Sequence, residues 1–116
     1  VWNYRASVIR VVDGDTVDIK VDLGFDILTN MRVRLLGIDT PEINAADPAL
    51  RERAHAAKAR VEGLLPPGTA VEITTEKDRR EKYGRYLASI KLPDAADLAA
   101  LLLQEGFAVA YDGGAR

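Results

Sequence analysis

The first half of the chain alternates. From Arg5 to Val12 and again from Thr16 to Leu23, apolar and polar residues trade places at close to period two. Successive side chains on a strand point to opposite faces, so both segments are predicted to be half-buried strands. Between them stands Asp13-Gly14-Asp15, read as a hairpin turn from its Asp-Gly pair, with Gly14 expected to supply the positive φ such turns use. A looser connection, Gly24 to Asn30, leads to a third strand, Met31 to Leu36. That strand is expected to end at Gly37-Ile38-Asp39-Thr40-Pro41, since proline brings no N–H to a ladder.

A helix is predicted next. Asp47 suits the N-cap and Pro48 the first helical position, where a missing N–H costs nothing. Leu50, Ala54, Ala57, Val61 and Leu64 recur at helical steps and form the expected buried stripe, and Pro66-Pro67-Gly68 stops it. Thr69 to Thr75 reads as a fourth strand and Tyr86 to Leu92 as a fifth, joined by a charged connection, Glu76 to Lys82. A short second helix, Asp97 to Glu105, is expected to bury Leu98, Leu101 and Leu102 and to end at Gly106 as its C′ residue. Five strands with a helix between the third and fourth give a mostly β, α+β chain laid out as an OB-type Greek-key barrel. No repeat or linker divides the 116 residues, so residues 1–116 are read as one domain.

Composition narrows the chemistry. The chain has no cysteine, which excludes disulfides, thiolate zinc sites, Fe–S clusters and cysteine nucleophiles. Its one histidine, His55, leaves no basis for a His-rich metal site or a Ser/His/Asp triad; on the helix between alanines it reads as a surface residue. No apolar run approaches a membrane span and no signal-peptide pattern opens the chain, so no membrane partner is expected. Cytosolic and secreted locations both fit a chain without cysteine. The net charge of −2 means that any attraction for a polyanion has to be local.

Three short clusters could carry chemistry. Asp13-Gly14-Asp15-Thr16 is an exposed acidic hairpin turn on its bland reading; functionally, Asp15 is a hard oxygen ligand for a divalent cation. In Arg34-Leu35-Leu36-Gly37-Ile38-Asp39-Thr40-Pro41-Glu42, alternation is expected to put Arg34, Leu36 and Ile38 on one face. Arg34 then stands where a core-facing or cleft-facing residue belongs, a place arginine seldom takes without an anionic partner. Asp39 and Glu42 supply two carboxylates just beyond, one to hold a metal and one to act as general base. Lys82-Tyr83-Gly84-Arg85-Tyr86 is an ordinary glycine turn or, functionally, the source of a second guanidinium opposite Arg34.

Together, in this order and spacing, the three clusters resemble the staphylococcal nuclease (thermonuclease) family, Ca2+-dependent phosphodiesterases of OB-type fold. The resemblance rests on Val12-Asp13-Gly14-Asp15-Thr16-Val17, on Arg34 to Glu42 with its Asp-Thr-Pro-Glu, and on Lys82-Tyr83-Gly84-Arg85. It implies calcium held by Asp15, Asp39 and the backbone carbonyl of Thr40, with Glu42 as general base toward the attacking water. It also implies Arg34 and Arg85 on the scissile phosphate, and Lys82, Tyr83 and Tyr111 beside the nucleotide. The implied partner is nucleic acid, single-stranded or locally melted DNA or RNA, cut with little sequence preference by a monomer. Three departures stand out, one of them the acidic balance of charge where the founding enzyme is basic. The stretch from Thr16 to Arg34 is longer than in the founding enzyme, and no counterpart of the family's C-terminal helix is expected after Tyr111. The alternative is a catalytically inactive nucleic-acid-binding barrel, but such degenerate repeats lack several of the acidic and arginine positions that this chain keeps. A structural interaction domain using Leu103 and the second hairpin leaves Arg34 unexplained.

Overall fold

A computed structural model of the chain describes residues 2–80 and 86–111. Alternation does set the first hairpin. β1 (Trp2–Asp13) and β2 (Thr16–Asp22) pair antiparallel, with Val8 opposite Ile19 and Val11 opposite Val17, and all four side chains are buried. β3 (Leu28–Leu35) continues the meander, starting three residues earlier than its apolar content suggested. β5 (Ala70–Arg80) returns beside β1, and β6 (Tyr86–Lys91) pairs antiparallel with it. A short parallel contact between β3 and β6, from Val33–Tyr86 to Leu35–Ala88, closes a five-stranded barrel in the order β1-β2-β3-β6-β5. Its interior is filled by aliphatic side chains including Val17, Ile19, Val33, Leu35, Ile73 and Ile90, each at most 1% exposed. Among the described residues the chain is mostly β with two helices, and its five-stranded closed barrel is that of an OB-type fold.

Helix α1 (Pro48–Leu64) begins as its capping residues dictate. The Asp47 carboxylate accepts a hydrogen bond from the Ala49 N–H, and Pro48 occupies the first turn. Its buried stripe is narrower than expected: Ala54, Ala57 and Val61 are buried, Leu64 is only partly so, and Leu50 is 39% exposed. Small side chains at the centre of that stripe let the helix lie close to the barrel. Helix α2 (Leu98–Gln104) is capped by Asp97 and buries Leu98, Ala99 and Leu102, with Leu101 partly covered and Leu103 at 40% exposure. Gly106 follows the C-cap with φ of 81°, the C′ role expected of it.

Three expectations need correction. Gly14 does not adopt a positive φ; its role is close approach, because a Cβ there would stand 2.8 Å from Ala57 Cβ and 3.1 Å from Thr40 Oγ1. The charged run after Thr75 is not simply a connection: β5 continues through Arg80, with its pairing to β6 irregular between Thr75 and Arg80. Finally, Arg34 does not share a face with Ile38. Gly37, at φ of 84°, breaks the alternation between them. Val33 and Leu35 fill the barrel core and Arg34 points the other way.

Two very short strands went unforeseen. β4 (Ile38–Asp39) and β7 (Val109–Ala110) pair antiparallel as a separate two-stranded sheet, extended by the Tyr111 N–H donating to the Gly37 carbonyl at 2.9 Å. This staple fixes the segment after β3 against the segment after α2. Both strands lie beside Arg34.

Candidate active site

Arg34 is where three distant segments meet. It leaves β3 opposite Thr16 of β2 and Leu87 of β6, on the face away from the core. Even so it is only 8% exposed, because the turn after β3 folds back over it. One terminal nitrogen, Nη1, donates to the carbonyls of Ile38 at 3.0 Å and Leu35 at 3.3 Å. The other, Nη2, faces two carboxylates: Asp39 Oδ1 at 2.8 Å and Asp15 Oδ2 at 3.4 Å. The guanidinium also stacks over the Tyr111 ring, 5.1 Å from its centroid. A buried arginine is tolerable only with such partners, and here they come from the β1–β2 turn, from β4 and from the stretch after β7.

Asp15 is held as firmly as the arginine. It is 6% exposed, accepts from Thr16 Oγ1 at 3.0 Å on one oxygen, and accepts from the Thr40 N–H at 3.2 Å on the other. Its carbonyl accepts from the Leu35 N–H at 2.9 Å, which locks the hairpin turn to the end of β3. The close approach at Gly14 brings the turn down onto α1 and Thr40. Thr40 is itself buried, and its Oγ1 is the buried side-chain polar atom left without a hydrogen-bond partner among the described residues.

Every convergent donor here is oxygen. Two carboxylates, with the orphaned Thr40 hydroxyl on the residue that holds Asp15, make a set that suits a hard divalent cation and has nothing to offer a soft one. The described residues hold no group of three or more His, Cys, Asp or Glu side chains placed for a metal. An ion here would therefore complete its shell with carbonyl, water or substrate oxygens, which calcium and magnesium both accept. The residues fit such an ion in kind.

The expected site residues divide into three groups. Asp15, Arg34, Asp39, Thr40 and Tyr111 are brought together. Glu42 lies exposed just past the cluster, and its side chain makes no hydrogen bond or ion pair to the described residues. Lys82, Tyr83 and Arg85 lie outside the described residues. Sequence reasoning missed Thr16, whose hydroxyl steadies Asp15, and the carbonyls of Leu35 and Ile38 that anchor Arg34. Gly37 was the visible signal for the second, since a glycine inside a strand pattern marks a break.

Fold and site together define a small OB-type barrel with a buried acid–guanidinium cluster at the end where the β1–β2 turn meets β3. The sequence pattern of the staphylococcal nuclease homologue family matches residues 32–115. The chain belongs to that family. Among its relatives, a micrococcal nuclease of Shigella flexneri is 29% identical over 94% of this chain and 59% of its own length. A prophage-derived endonuclease, YokF, of Bacillus subtilis is 36% identical over 88% of this chain and 33% of its own. An uncharacterized protein of Methanocaldococcus jannaschii, MJ1439, is 32% identical over 94% of this chain and 60% of its own. The chain thus spans well under two thirds of the length of each.

Proposed function

We propose that this chain is the catalytic domain of a Ca2+-dependent nuclease that hydrolyses phosphodiester bonds of DNA or RNA with little sequence preference. The observation that supports this most is the convergence of Asp15 and Asp39 on the Arg34 guanidinium, with the Thr40 N–H holding Asp15 in place. The names borne by relatives, endonuclease and micrococcal nuclease, point the same way.

Asp15, Asp39 and the Thr40 carbonyl would hold the ion, which would supply Lewis-acid charge stabilisation for phosphodiester hydrolysis. In-line displacement at phosphorus puts negative charge on the equatorial oxygens. Arg34, already oriented by two carbonyls and two carboxylates, meets that charge with little reorganisation. Arg85, outside the described residues, is assigned as a second guanidinium for the phosphate. Glu42, exposed two residues beyond Thr40 in the chain, is assigned to take the proton of the water. Tyr111, stacked on Arg34, together with Tyr83 and Lys82, is assigned to the nucleotide flanking the reacting phosphate. A site that grips phosphate rather than base edges reads no sequence.

Digestion of plasmid and single-stranded DNA with Ca2+, with Mg2+ and with chelator tests the reading. Cleavage confined to the calcium sample is expected, and Glu42→Gln is expected to lose about a hundredfold or more in turnover while keeping the fold. Salt-sensitive binding with no cleavage under any condition would instead make the chain a binding module.

A further inference from the structure

The face of β3 that carries Arg34 does not end there. Two residues back, Arg32 projects from the same face, separated by the ~7 Å that two strand residues span. Register places Asp18 of β2 beside Arg32 and Arg10 of β1 beside Asp18, so the three form one row across the outside of the barrel. The Asp18 carboxylate takes Arg32 Nε at 2.8 Å, Arg32 Nη2 at 3.1 Å and Arg10 Nε at 2.8 Å. It is 16% exposed, whereas the arginine side chains are 46% and 66% exposed. One carboxylate thus orients two guanidiniums and leaves their outer edges in water. In the next row Lys20 of β2 faces Asn30 of β3, both exposed. A shallow groove of about 500 Å³ runs here, lined by Ile9, Arg10, Asp18, Asn30, Met31 and Arg32.

Charge makes this face unusual for the chain. The whole sequence carries −2, yet these two rows set Arg10, Lys20 and Arg32 against Asp18, with Asp13 of the adjoining row the further acid acting on Arg32. Natural sheets do place charges on an outer face, but two arginines pinned by a shared acid lose side-chain entropy before any ligand arrives, which favours anion capture. Spacing along the strand is that of neighbouring phosphates in an extended polynucleotide.

We propose that the outer face of β1–β2–β3 is a second phosphate subsite, in which Arg10 and Arg32 grip the backbone of single-stranded nucleic acid next to the phosphate held at Arg34. Lys20 and Asn30 extend the track by one row. The subsite rests on the nuclease reading for its neighbour at Arg34, and it makes the substrate an extended strand rather than a mononucleotide or dinucleotide. It also gives an acidic protein the local attraction for a polyanion that its net charge does not supply.

Binding of a fluorescent oligo-dT 12-mer, measured in chelator across a salt series, tests this without turnover. Each phosphate contact on a single strand contributes about −0.7 to the slope of log K against log salt. Arg10→Gln/Arg32→Gln is expected to make that slope shallower by about 0.7 and Arg32→Gln alone to weaken binding in the same direction. Arg53→Gln removes the same single charge as Arg32→Gln, from an exposed position on α1, and is expected to keep the wild-type slope. An unchanged slope in the double variant, or an equal loss in Arg53→Gln, overturns the subsite. A chain that never cleaves yet shows the expected slope difference retires the catalytic reading and keeps the track; a chain that cleaves with no slope difference does the reverse.

Discussion

Gly14 joins the hairpin turn, helix α1 and Thr40 at a single Cα. A Cβ there would be 2.8 Å from Ala57 Cβ, an atom with no rotamer to move away, and 3.1–3.2 Å from the Thr40 side chain. Gly14→Ala must push the helix or the turn aside, and is expected to cost about 1–3 kcal/mol. Because the displaced partner includes Thr40, stabilisation of the chain by added Ca2+ should shrink as well. Thermal melts with calcium and with chelator check both, and an unaltered melting temperature would contradict the packing account. The sequence marked this glycine for a different reason, since Asp-Gly signals a turn but cannot reveal what lies above it. Arg34 shows the same limit. Alternation put Arg34 on one face with Ile38, whereas it leaves the strand on the outer face and is buried there because the turn at Gly37 redirects the chain over it. Arg34→Gln leaves Asp15 and Asp39 facing each other in a buried site without their shared cation. That variant is expected to lose about 3–5 kcal/mol by urea unfolding in chelator. Calcium should recover part of the loss if the two carboxylates bind it.

Elements long enough to show a period were legible, and short ones were not. β1, β2, β5 and β6 each carry several alternating positions, and α1 announces itself through Asp47, Pro48 and its alanine stripe. β4 and β7 have two residues each, too few for any pattern, although they staple the turn after β3 in place. The β2–β3 connection was read as loose, but it is a tight turn: the Leu23 N–H donates to Ile27, the Ile27 N–H to Gly24, and the Gly24 N–H to the Asp22 carboxylate. At its tip Phe25 is 98% exposed with φ of 56°. A bulky residue in left-handed backbone is strained, whereas asparagine accepts that region. Phe25→Asn therefore removes no core contact and is expected to leave stability within about 0.5 kcal/mol or raise it. A denaturation midpoint clearly below that of the wild type would show that Phe25 packs against something in solution.

Over the whole molecule, charge is sorted rather than balanced. The net −2 hides a buried acid–arginine cluster at one end of the barrel and an arginine-rich row on its outer face, both organised around aspartates that composition alone cannot tell apart. Asp18 looked in sequence like one more polar residue of an alternating strand. In the fold, its hydrogen bond from Arg32, with a further one from Arg10, holds its carboxyl below the usual value despite the opposing effect of burial. A carboxyl whose folded-state pKa is depressed stabilises the fold above its unfolded pKa of about 3.9, and that contribution disappears as pH falls through the folded value. Asp18→Asn cannot ionise, so it should be less stable than wild type at pH 7, and the gap should close as pH falls below about 4. Melting temperatures of both proteins from pH 2.5 to 7 would read this directly. A gap that stays constant across the range would mean that Asp18 contributes shape alone, and that Arg10 and Arg32 are not aligned by its charge.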